Sequence, residues 1–403
     1  MNRPLTGVKV LEVDTFTAAS ACGRLLAEWG AEVIKVEAVN GEPGRTVAGL
    51  TFGAPCKDEE NPSFECNNAY KKSLALNLKD PRCLDVVHKL ADKCNVFLTN
   101  YRPNVLKRMG LDFESFHEKH PKTVWAQLTG YGENGPDKDA PGYDAVAFWS
   151  RSGVLIDAAD KGETPLVPPI GFGDRTTSCT FAGAICAALY HQAVTGEGQK
   201  VSVSLYGQAL WNIGESIVCS QYGDTFPKTR DLPSSPLANS YRASDGNWFF
   251  ISCYNYPGQI GGVLKAIDRS DLMDDPRFAN LPAARKHCAE VVNILESEFE
   301  KHDLAYWIEK MTECDVPFSP VRHFKDVFDD EQAFINDYLR KYSHRNGKVI
   351  VGTQSPAKFP ETGTDEYVNA PLLGADSLEY LKLAGLSDDE IDAMKNDGVT
   401  IIL

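Results

Sequence analysis

The sequence lacks the short motifs that mark the common metal, redox and nucleophile sites. Its eleven cysteines include no Cys-x-x-Cys pair, which argues against a zinc site or a disulfide framework. Walker A, G-x-S-x-G and H-E-x-x-H patterns are also missing, so no bound metal is predicted and neither a P-loop nor a serine hydrolase is indicated. The cysteines are interpreted as free thiols in a reducing cytoplasm. Their scattered positions include Cys22, Cys56, Cys66, Cys94, Cys186 and Cys253.

Positive charge and long apolar runs are scarce as well. Lys and Arg total 41 against 56 Asp and Glu, which gives a net charge of −15 at pH 7. This balance excludes nucleic acid and an anionic membrane as main partners, because both bind basic surfaces. No run of about 18 apolar residues occurs, and the N-terminal residues lack the apolar core of a signal peptide. We therefore expect a cytoplasmic protein without a membrane anchor.

The loop after the first predicted strand contains no glycine. Residues 8–13 are typical of a strand and residues 18–29 of a helix, and the loop at 14–20 reads D-T-F-T-A-A-S. A conventional dinucleotide site needs G-x-G-x-x-G here, so that the backbone can approach a pyrophosphate. An NAD site of that type is therefore not expected, although a nucleotide could still bind at the strand ends through other contacts.

What the chain does contain is a regular alternation of strands and helices. Predicted strands at residues 8–13, 32–37, 74–76, 95–99 and 124–128 alternate with helices at 18–29 and 80–91. This spacing predicts an α/β fold with a largely parallel sheet. A polar, proline-containing stretch at 227–236 is the expected linker to a smaller α+β domain. The predicted division is 1–225 for the large α/β domain, 226–328 for the small domain and 329–403 for a C-terminal segment.

The segment G-F-G-D-R-T-T at residues 171–177 singles out one carboxylate. Two glycines allow a sharp turn before Asp174, and a long helix is predicted from about residue 176 to 193. Structurally, an aspartate in this position is a good N-cap. Chemically, a carboxylate that the helix dipole keeps ionised could attack a thioester if it faced a cleft. The residues alone leave both interpretations open.

A series of motifs, in order along nearly the whole chain, resembles the class III CoA-transferases, the family of formyl-CoA transferase and of the 2-hydroxyacyl-CoA transferases of amino-acid fermentation. The matching stretches are L-T-G-V-K-V-L-E (5–12), G-A-E-V-I-K-V-E (30–37), N-A-Y-K-K-S-L-A-L-N-L-K (68–79), N-Y-R-P-N-V-L-K-R-M-G (100–110), G-Y-G-E-N-G-P (130–136), P-G-Y-D (141–144), T-G-E-G-Q (195–199), A-P-L-L-G (370–374) and L-S-D-D-E-I (386–391).

The resemblance implies a reaction and the residues that carry it. Asp174 matches the family's catalytic aspartate, which forms a mixed anhydride and then an aspartyl-CoA thioester. Asp144 matches an acidic residue that helps to position the reacting carboxylate, although a helix cap after Gly142 would equally explain it. Coenzyme A or acyl-CoA is then a substrate, together with a free carboxylic acid, and no permanently bound cofactor is expected.

The same resemblance implies a CoA site and an assembly. Backbone amides after Thr15 and Phe16 would lie near the thioester, and Tyr101 would flank the adenine. The resemblance also implies a Rossmann-like large domain to which residues 329–403 return, and an intertwined, ring-like homodimer. The residues on the family's CoA-contacting motifs are Lys72, Asn100, Arg108 and Met109.

Departures from the pattern leave alternatives open. The glycine-rich loop of the formyl-CoA branch is missing, and stretches such as T-G-Y-G-E-N-G-P-D-K-D favour the phenyllactate or 2-hydroxyisocaproate subgroup. An α-methylacyl-CoA racemase would carry G-H-D where this chain has Gly142-Tyr143-Asp144, and a phenol is a poor substitute for imidazole in proton transfer at neutral pH. A catalytically silent CoA-binding protein is a further alternative.

Four aromatic residues indicate either an apolar pocket or simple core: Phe16, Phe148, Trp149 and Phe172.

Overall fold

The computed structural model describes residues 3–46, 61–363 and 366–403, so Cys56 lies outside the described residues. The chain divides into two compact units. The larger unit comprises Met1–Val154, Val167–Ile217 and Gln332–Leu403, and the smaller one Leu155–Leu166 and Val218–Glu331. The predicted small domain, 226–328, lies inside the smaller unit. That unit also takes in residues 155–166, which the sequence analysis assigned to the large domain.

The strands alternate with helices through the first part of the chain. In chain order they are β1 Lys9–Val13, β2 Glu32–Glu37, β3 Lys72–Leu76, β4 Val96–Thr99, β5 Val124–Thr129, β6 Lys200–Ser204, β7 Ala238–Arg242, β8 Trp248–Ser252, β9 Phe318–Pro320, β10 Leu339–Ser343, β11 Val349–Thr353 and β12 Thr400–Ile401.

The α-helices fall mostly between these strands. In chain order they are α1 Ala18–Glu28, α2 Pro62–Asn68, α3 Pro81–Ala91, α4 Pro103–Met109, α5 Phe113–Lys119, α6 Val154–Asp157, α7 Phe172–Thr195, α8 Leu205–Asn212, α9 Gly214–Ser220, α10 Tyr256–Ala266, α11 Leu281–Lys286, α12 Cys288–Phe299, α13 Leu304–Glu313, α14 Glu331–Ile335, α15 Ser377–Leu383 and α16 Asp388–Asn396.

The larger unit is built on one sheet whose order in the described chain is β12-β3-β2-β1-β4-β5-β6. The pairs from β3 through β6 are all parallel, and only the short β12 runs antiparallel to β3. The strand order reverses between β1 and β4, where Val13 pairs with Thr99. Ligands of open parallel sheets bind outside the carboxyl ends of the strands at such a switch point. The predicted α/β fold with a Rossmann-like sheet is confirmed, and this edge is where a site is expected.

The central strands form because they are apolar and buried on both faces, as parallel strands under helices must be. Strands β3 and β4 contribute Leu74, Leu76 and Phe97 to one core, which helices α3 and α5 complete. Charged residues nevertheless lie inside β1 and β2: Glu12 and Lys35 are fully buried. Burying a charge is costly unless it is paired, so these two positions call for a specific explanation.

The smaller unit is an α+β unit with its own core. Strands β7, β8 and β9 form an antiparallel sheet, and helices α10 to α13 supply most of the other buried residues. Phe299 packs between Tyr241 and Trp307 in this core, with centroids about 5 Å from each, tilted against the first ring and edge to face with the second. Each unit therefore buries a separate hydrophobic cluster.

One helix prediction needed correction. The long helix begins at Phe172 and not at residue 176, because Gly171 takes the left-handed conformation (φ 64°) and starts the helix earlier. Farther along the chain, helices α8 and α9 meet around Ile213 and Gly214. Glycine is among the poorest residues in a helix interior, which is consistent with a break there.

Candidate functional site

The carboxyl ends of β1, β4 and β5 and the start of α7 enclose one cavity in the larger unit. Its volume is about 480 Å³. The loop after β1, the start of α4 and the loop after β5 form its walls. Six of the residues predicted from sequence line it: Thr15, Phe16, Asn100, Tyr101, Arg108 and Asp174.

Asp174 lies in the first turn of α7, three residues after the helix cap. The N-cap position belongs to Gly171, so the N-cap interpretation of Asp174 was wrong. The carboxylate lines the cavity and makes no hydrogen bond to any described residue. Burial, followed by the charge of Asp144, raises the pKa of Asp174 to about 7, against the opposing effect of Arg175. Burial and Asp144 thus act against the ionised form that the sequence analysis expected the helix dipole to favour.

Asp144 lies beside the first turn of α7, close to the backbone of Gly173 and Asp174, and begins a π-helical turn, Asp144–Ser150. The N-cap of that turn is Tyr143, so Asp144 is not the cap that its position after Gly142 suggested. Burial raises the pKa of Asp144 to about 6, although the nearby N–H groups of Gly173 and Asp174 favour its charged form. None of these groups makes a well-formed hydrogen bond with its Oδ1 atom, which is buried without a partner.

Gly173 allows the two carboxylates to approach each other. A Cβ atom added at this position would lie 2.2 Å from Asp144 Oδ1 and 2.4 Å from Phe148 Cγ. Real Cβ atoms do not approach other heavy atoms so closely, and no side chain fits. Glycine at this position is therefore required by the packing of the Asp144 turn against the first turn of α7.

The loop after β1 is held by hydrogen bonds from both sides. The Thr15 N–H donates to Asn100 Oδ1 (3.1 Å), and Asn100 Nδ2 donates to the Thr15 carbonyl (2.6 Å). The Phe16 N–H donates to Glu42 Oε2 (2.8 Å). The amides of Thr15 and Phe16 are thus engaged within the protein. Glu42 has no motif that would have marked it in the sequence.

A second cavity of about 800 Å³ lies on the other side of α4. Tyr101 and Arg108 line both cavities, and Met109 lines only the second. Lys72 lines neither: it is partly exposed and pairs with Asp376 at 3.1 Å. Successive strand residues point to opposite faces, and the neighbouring Lys71 is the one that points into the protein.

The four aromatic residues divide between the site and the core. Phe16 lines the cavity, and Phe172 is half exposed beside Trp149. Phe148 and Trp149 are buried. Tyr143 was noted in the sequence only as a departure from the racemase motif. It also lines the cavity, and its ring meets Phe16 edge to face at 5.8 Å.

A buried ion network lies beneath the loop after β1. Lys35 Nζ lies 2.5 Å from Asp14 Oδ1, 3.2 Å from Glu12 Oε1 and 3.5 Å from Glu42 Oε1. Lys71 Nζ lies 2.7 Å from Glu12 Oε1 and also donates to the Ser20 carbonyl. This network accounts for the charged residues inside β1 and β2.

Among the described residues, no helix combines the length and apolarity that crossing a membrane would require. No group of three or more His, Cys, Asp or Glu side chains among them is arranged to hold a metal ion.

Comparisons with known proteins agree over the whole chain. The family model described as CoA-transferase family III matches residues 5–377. The (R)-2-hydroxy-4-methylpentanoate CoA-transferase of Clostridioides difficile is 36% identical, covering 98% of this chain and 99% of the relative. The cinnamoyl-CoA:phenyllactate CoA-transferase of Clostridium sporogenes is also 36% identical, and the match covers 97% of this chain and 96% of that relative.

Solved structures give the same result for the fold. A CaiB/BaiF family protein from Brucella suis has a TM-score of 0.80 at 26% identity, covering 95% of this chain and all of that one. A Mycobacterium tuberculosis protein in an orthorhombic crystal form has a TM-score of 0.81 at 26% identity, covering 94% and 99%. With the cavity at the switch point and Asp174 in its wall, these matches lead to one conclusion: the chain belongs to CoA-transferase family III.

Proposed function

We propose that this enzyme moves CoA between an acyl-CoA and a free 2-hydroxy or 2-enoic acid through covalent intermediates on Asp174. The observation that carries the proposal is the state of that carboxylate. It faces a cavity between loops that carry the family's CoA motifs, it has no hydrogen bond within the described chain, and burial raises its pKa to about 7. An unpaired, poorly solvated carboxylate is a stronger nucleophile than one held by donors.

The proposed reaction balances without any further reactant. An Asp174 oxygen attacks the acyl-CoA carbonyl, the CoA thiolate leaves, and a mixed anhydride forms. The thiolate then attacks the Asp174 carbonyl carbon, which releases the first acid with one aspartate oxygen and leaves an aspartyl-CoA thioester. The acceptor carboxylate attacks the carbonyl carbon of this thioester, which expels the CoA thiolate and gives a second mixed anhydride. The thiolate then attacks the acceptor's acyl carbon and breaks its bond to the bridging oxygen, so that the acceptor's CoA thioester is released. Asp174 is restored with one oxygen from the acceptor.

In this scheme Asp144 acts through its charge and its position. It is the largest electrostatic contribution to the raised pKa of Asp174 after burial. Its ionised form opposes a second negative charge nearby, which disfavours ionised Asp174 in the resting state. Forming the anhydride or the thioester removes the Asp174 charge, so the repulsion is relieved when the bond forms.

We infer that CoA lies across α4, with its thiol end in the cavity at Asp174. Tyr101 and Arg108 line both cavities, where Tyr101 is suited to flank the adenine and Arg108 to bind a phosphate. Met109 and Asn100 belong to the same stretch of the chain. Lys72 is the predicted contact with the least support, because it lies outside both cavities and is paired with Asp376.

The 2-hydroxyacyl subgroup rests on similarity and on the cavity wall. The two relatives reported above are named for 2-hydroxy-4-methylpentanoate and for phenyllactate with cinnamoyl-CoA. In this chain Phe16 and Tyr143 give the cavity an aromatic side. A branched or aromatic acyl group would be accommodated by such a surface.

An exchange assay read by mass spectrometry tests the proposal. Purified protein is offered aliphatic and aromatic acyl-CoAs, each with a set of free 2-hydroxy and 2-enoic acids. We expect transfer of CoA without hydrolysis, abolished by Asp174→Ala. Absence of transfer with every pair, while CoA still binds, would contradict the proposal and favour a silent CoA-binding protein.

We propose a homodimer in the cytoplasm as the working form. Large apolar side chains are exposed in each unit, among them Trp211 (83%) and Ile335 (72%) in the larger one and Tyr222 (88%) in the smaller one. Exposed apolar surface of this kind commonly marks an interface. Light scattering at dilute concentration is expected to give twice the chain mass, and a persistent monomer would contradict the dimer.

A further inference from the structure

The loop at Phe16 holds a backbone conformation that its side chain disfavours. Phe16 has φ 63°, in the left-handed region that residues other than glycine, asparagine and aspartate rarely occupy. Keeping a bulky residue there is costly, and such outliers persist only where surrounding contacts enforce them. Phe16 is also a wall residue of the cavity that contains Asp174.

The contact that holds this conformation comes from Glu42. Its side chain is 2% exposed, and its Oε2 atom accepts hydrogen bonds from the Phe16 N–H (2.8 Å) and the Gly44 N–H (3.0 Å). Its Oε1 atom makes no hydrogen bond and lies 3.5 Å from Lys35 Nζ. Lys35 is fixed in turn by Asp14 at 2.5 Å.

In this conformation the ring of Phe16 contacts Tyr143, the residue before Asp144. It meets the ring of Tyr143 edge to face, with centroids 5.8 Å apart and an interplanar angle of 86°. Tyr143 immediately precedes Asp144, whose charge raises the pKa of Asp174. A change in the Phe16 backbone would therefore move one wall of the cavity and disturb the residue next to Asp144.

We propose that Glu42 is a positioning residue for CoA transfer: anchored by Lys35, it holds residue 16 in the left-handed conformation, and this backbone conformation places the loop of Thr15, Phe16 and Thr17 in the wall of the cavity that contains Asp174. The inference deepens the proposed function and rests on it. The competing explanation is that Glu42 only caps the short 3₁₀ turn Pro43–Arg45 through the Gly44 N–H. That explanation predicts a loss of stability and no specific loss of turnover.

Coupling between Glu42 and residue 16 separates the two explanations. Glycine adopts positive φ without strain, so a Phe16→Gly background no longer needs Glu42 to enforce the conformation. A Phe16→Ala background removes the same ring, but alanine still disfavours positive φ, so residue 16 still depends on Glu42 to hold that conformation. The turnover number kcat and the KM for acyl-CoA are measured for Glu42→Ala alone and in both backgrounds, with the donor and acceptor pair on which wild type is most active.

We expect Glu42→Ala to lower kcat by about 10-fold to 100-fold, with KM changed less than about 3-fold. In the Phe16→Ala background Glu42→Ala should cause a similar loss, and in the Phe16→Gly background about 2-fold or less. Glu37→Gln is the matched control, since Glu37 is a buried carboxylate paired with Arg45 that does not contact Phe16. It should alter thermal stability more than kcat.

Equal losses of kcat in the two backgrounds, or a fall in melting temperature with unchanged kcat, would overturn the proposal. A crystal structure of Glu42→Ala provides a test that is independent of activity: we expect Phe16 to move to negative φ, and an unchanged positive φ would overturn the proposal. If wild type exchanges CoA with no pair, the proposed function fails, while this structural result still decides whether Glu42 holds Phe16.

Discussion

Two groups of carboxylates lie close to the same loop, one fully buried and one partly buried, and they differ in whether lysines pair with them. Glu12, Asp14 and Glu42 are grouped around Lys35 and Lys71, with ion pairs between 2.5 and 3.5 Å. The second group is Asp144 and Asp174: the charge of Asp144 raises the pKa of Asp174, and Arg175 lowers it. The first group lies beneath the loop, and Asp174 opens into a cavity.

The pKa values express the difference. Burial works to raise the pKa of Asp14, but Lys35 and Lys71 bring it below its ordinary value. Burial and the charge of Asp144 together raise the pKa of Asp174 to about 7, because Asp174 has another carboxylate beside it where Asp14 has two lysines. Burial with a partner therefore gives a structural ion pair, whereas burial without one gives a carboxylate ready to react. Glu12 differs from Asp14: burial raises its pKa to about 7 as well, so what separates Glu12 from Asp174 is that one of its oxygens is bound by both lysines.

The largest expected effect is a loss of CoA transfer when Asp174, the carboxylate without a paired lysine, is replaced. Asp174→Asn should reduce CoA transfer by at least about 1000-fold, because an amide cannot form the anhydride. Stability at pH 8 should not fall, since a neutral amide avoids the cost of a buried charge. The matched variant Asp14→Asn leaves Lys35 undercompensated and should lower stability instead. Urea unfolding measures the stability of each variant, and the exchange assay measures its CoA transfer. Equal effects of the two variants on both quantities would contradict the distinction.

The next largest effect is a loss of stability when Lys35, which pairs with the buried carboxylates, is replaced. Lys35→Met removes the cation shared by Asp14, Glu12 and Glu42, and should lower the free energy of unfolding by about 3–5 kcal/mol. Urea denaturation at pH 7 measures this. A loss below about 1 kcal/mol would mean that Lys71 alone compensates the cluster.

A smaller effect tests the contact between the two aspartates. Gly173→Ala places a methyl group where Asp144 Oδ1 and Phe148 now lie, and should cost about 1–3 kcal/mol of stability. It should also lower transfer about 10-fold or more by displacing Asp144. Gly183→Ala is the control on the same helix, since its Cβ meets no atom within 4 Å, and should stabilise the helix slightly. Similar outcomes for the two variants would exclude the packing argument.

The pH dependence follows from the raised pKa values of the pair, about 6 for Asp144 and about 7 for Asp174. Acids whose pKa is raised on folding bind protons more tightly in the folded protein, so their stabilising contribution is greatest at low pH and is lost as pH rises. Stability of wild type relative to the Asp144→Asn, Asp174→Asn double variant should therefore fall between about pH 4 and 8. The turnover number should rise over about pH 6–8, as the nucleophile ionises. A flat profile in both measurements would contradict the raised values.

The smallest effect is expected at Lys72. Its pairing with Asp376 is partly exposed, so Lys72→Ala should change stability by less than about 1 kcal/mol and KM less than about 2-fold. Arg108→Ala is the comparison, because Arg108 lines both cavities. Its KM should rise by about 10-fold. A larger effect at Lys72 than at Arg108 would shift the CoA site toward β3.

The sequence was most informative where local pattern and chemistry coincide. The central strands were predicted to within a few residues, because apolar runs between turn residues determine buried strands. The loops that line the cavity were found through ordered family motifs. Glu42 was missed, since it reaches Phe16 across 26 residues of sequence and only the folded sheet brings the two together. The short β12 and the inclusion of residues 155–166 in the smaller unit depend on similar long-range contacts.

The most direct test of the central claim is to find the covalent intermediate. Wild type is mixed with an accepted acyl-CoA in the absence of acceptor acid, quenched with acid and mapped by peptide mass spectrometry. The account predicts a CoA thioester or an acyl group on the peptide that carries Asp174, and no such adduct on the Asp174→Asn protein. An adduct on another residue, or efficient CoA exchange by Asp174→Asn, would contradict it.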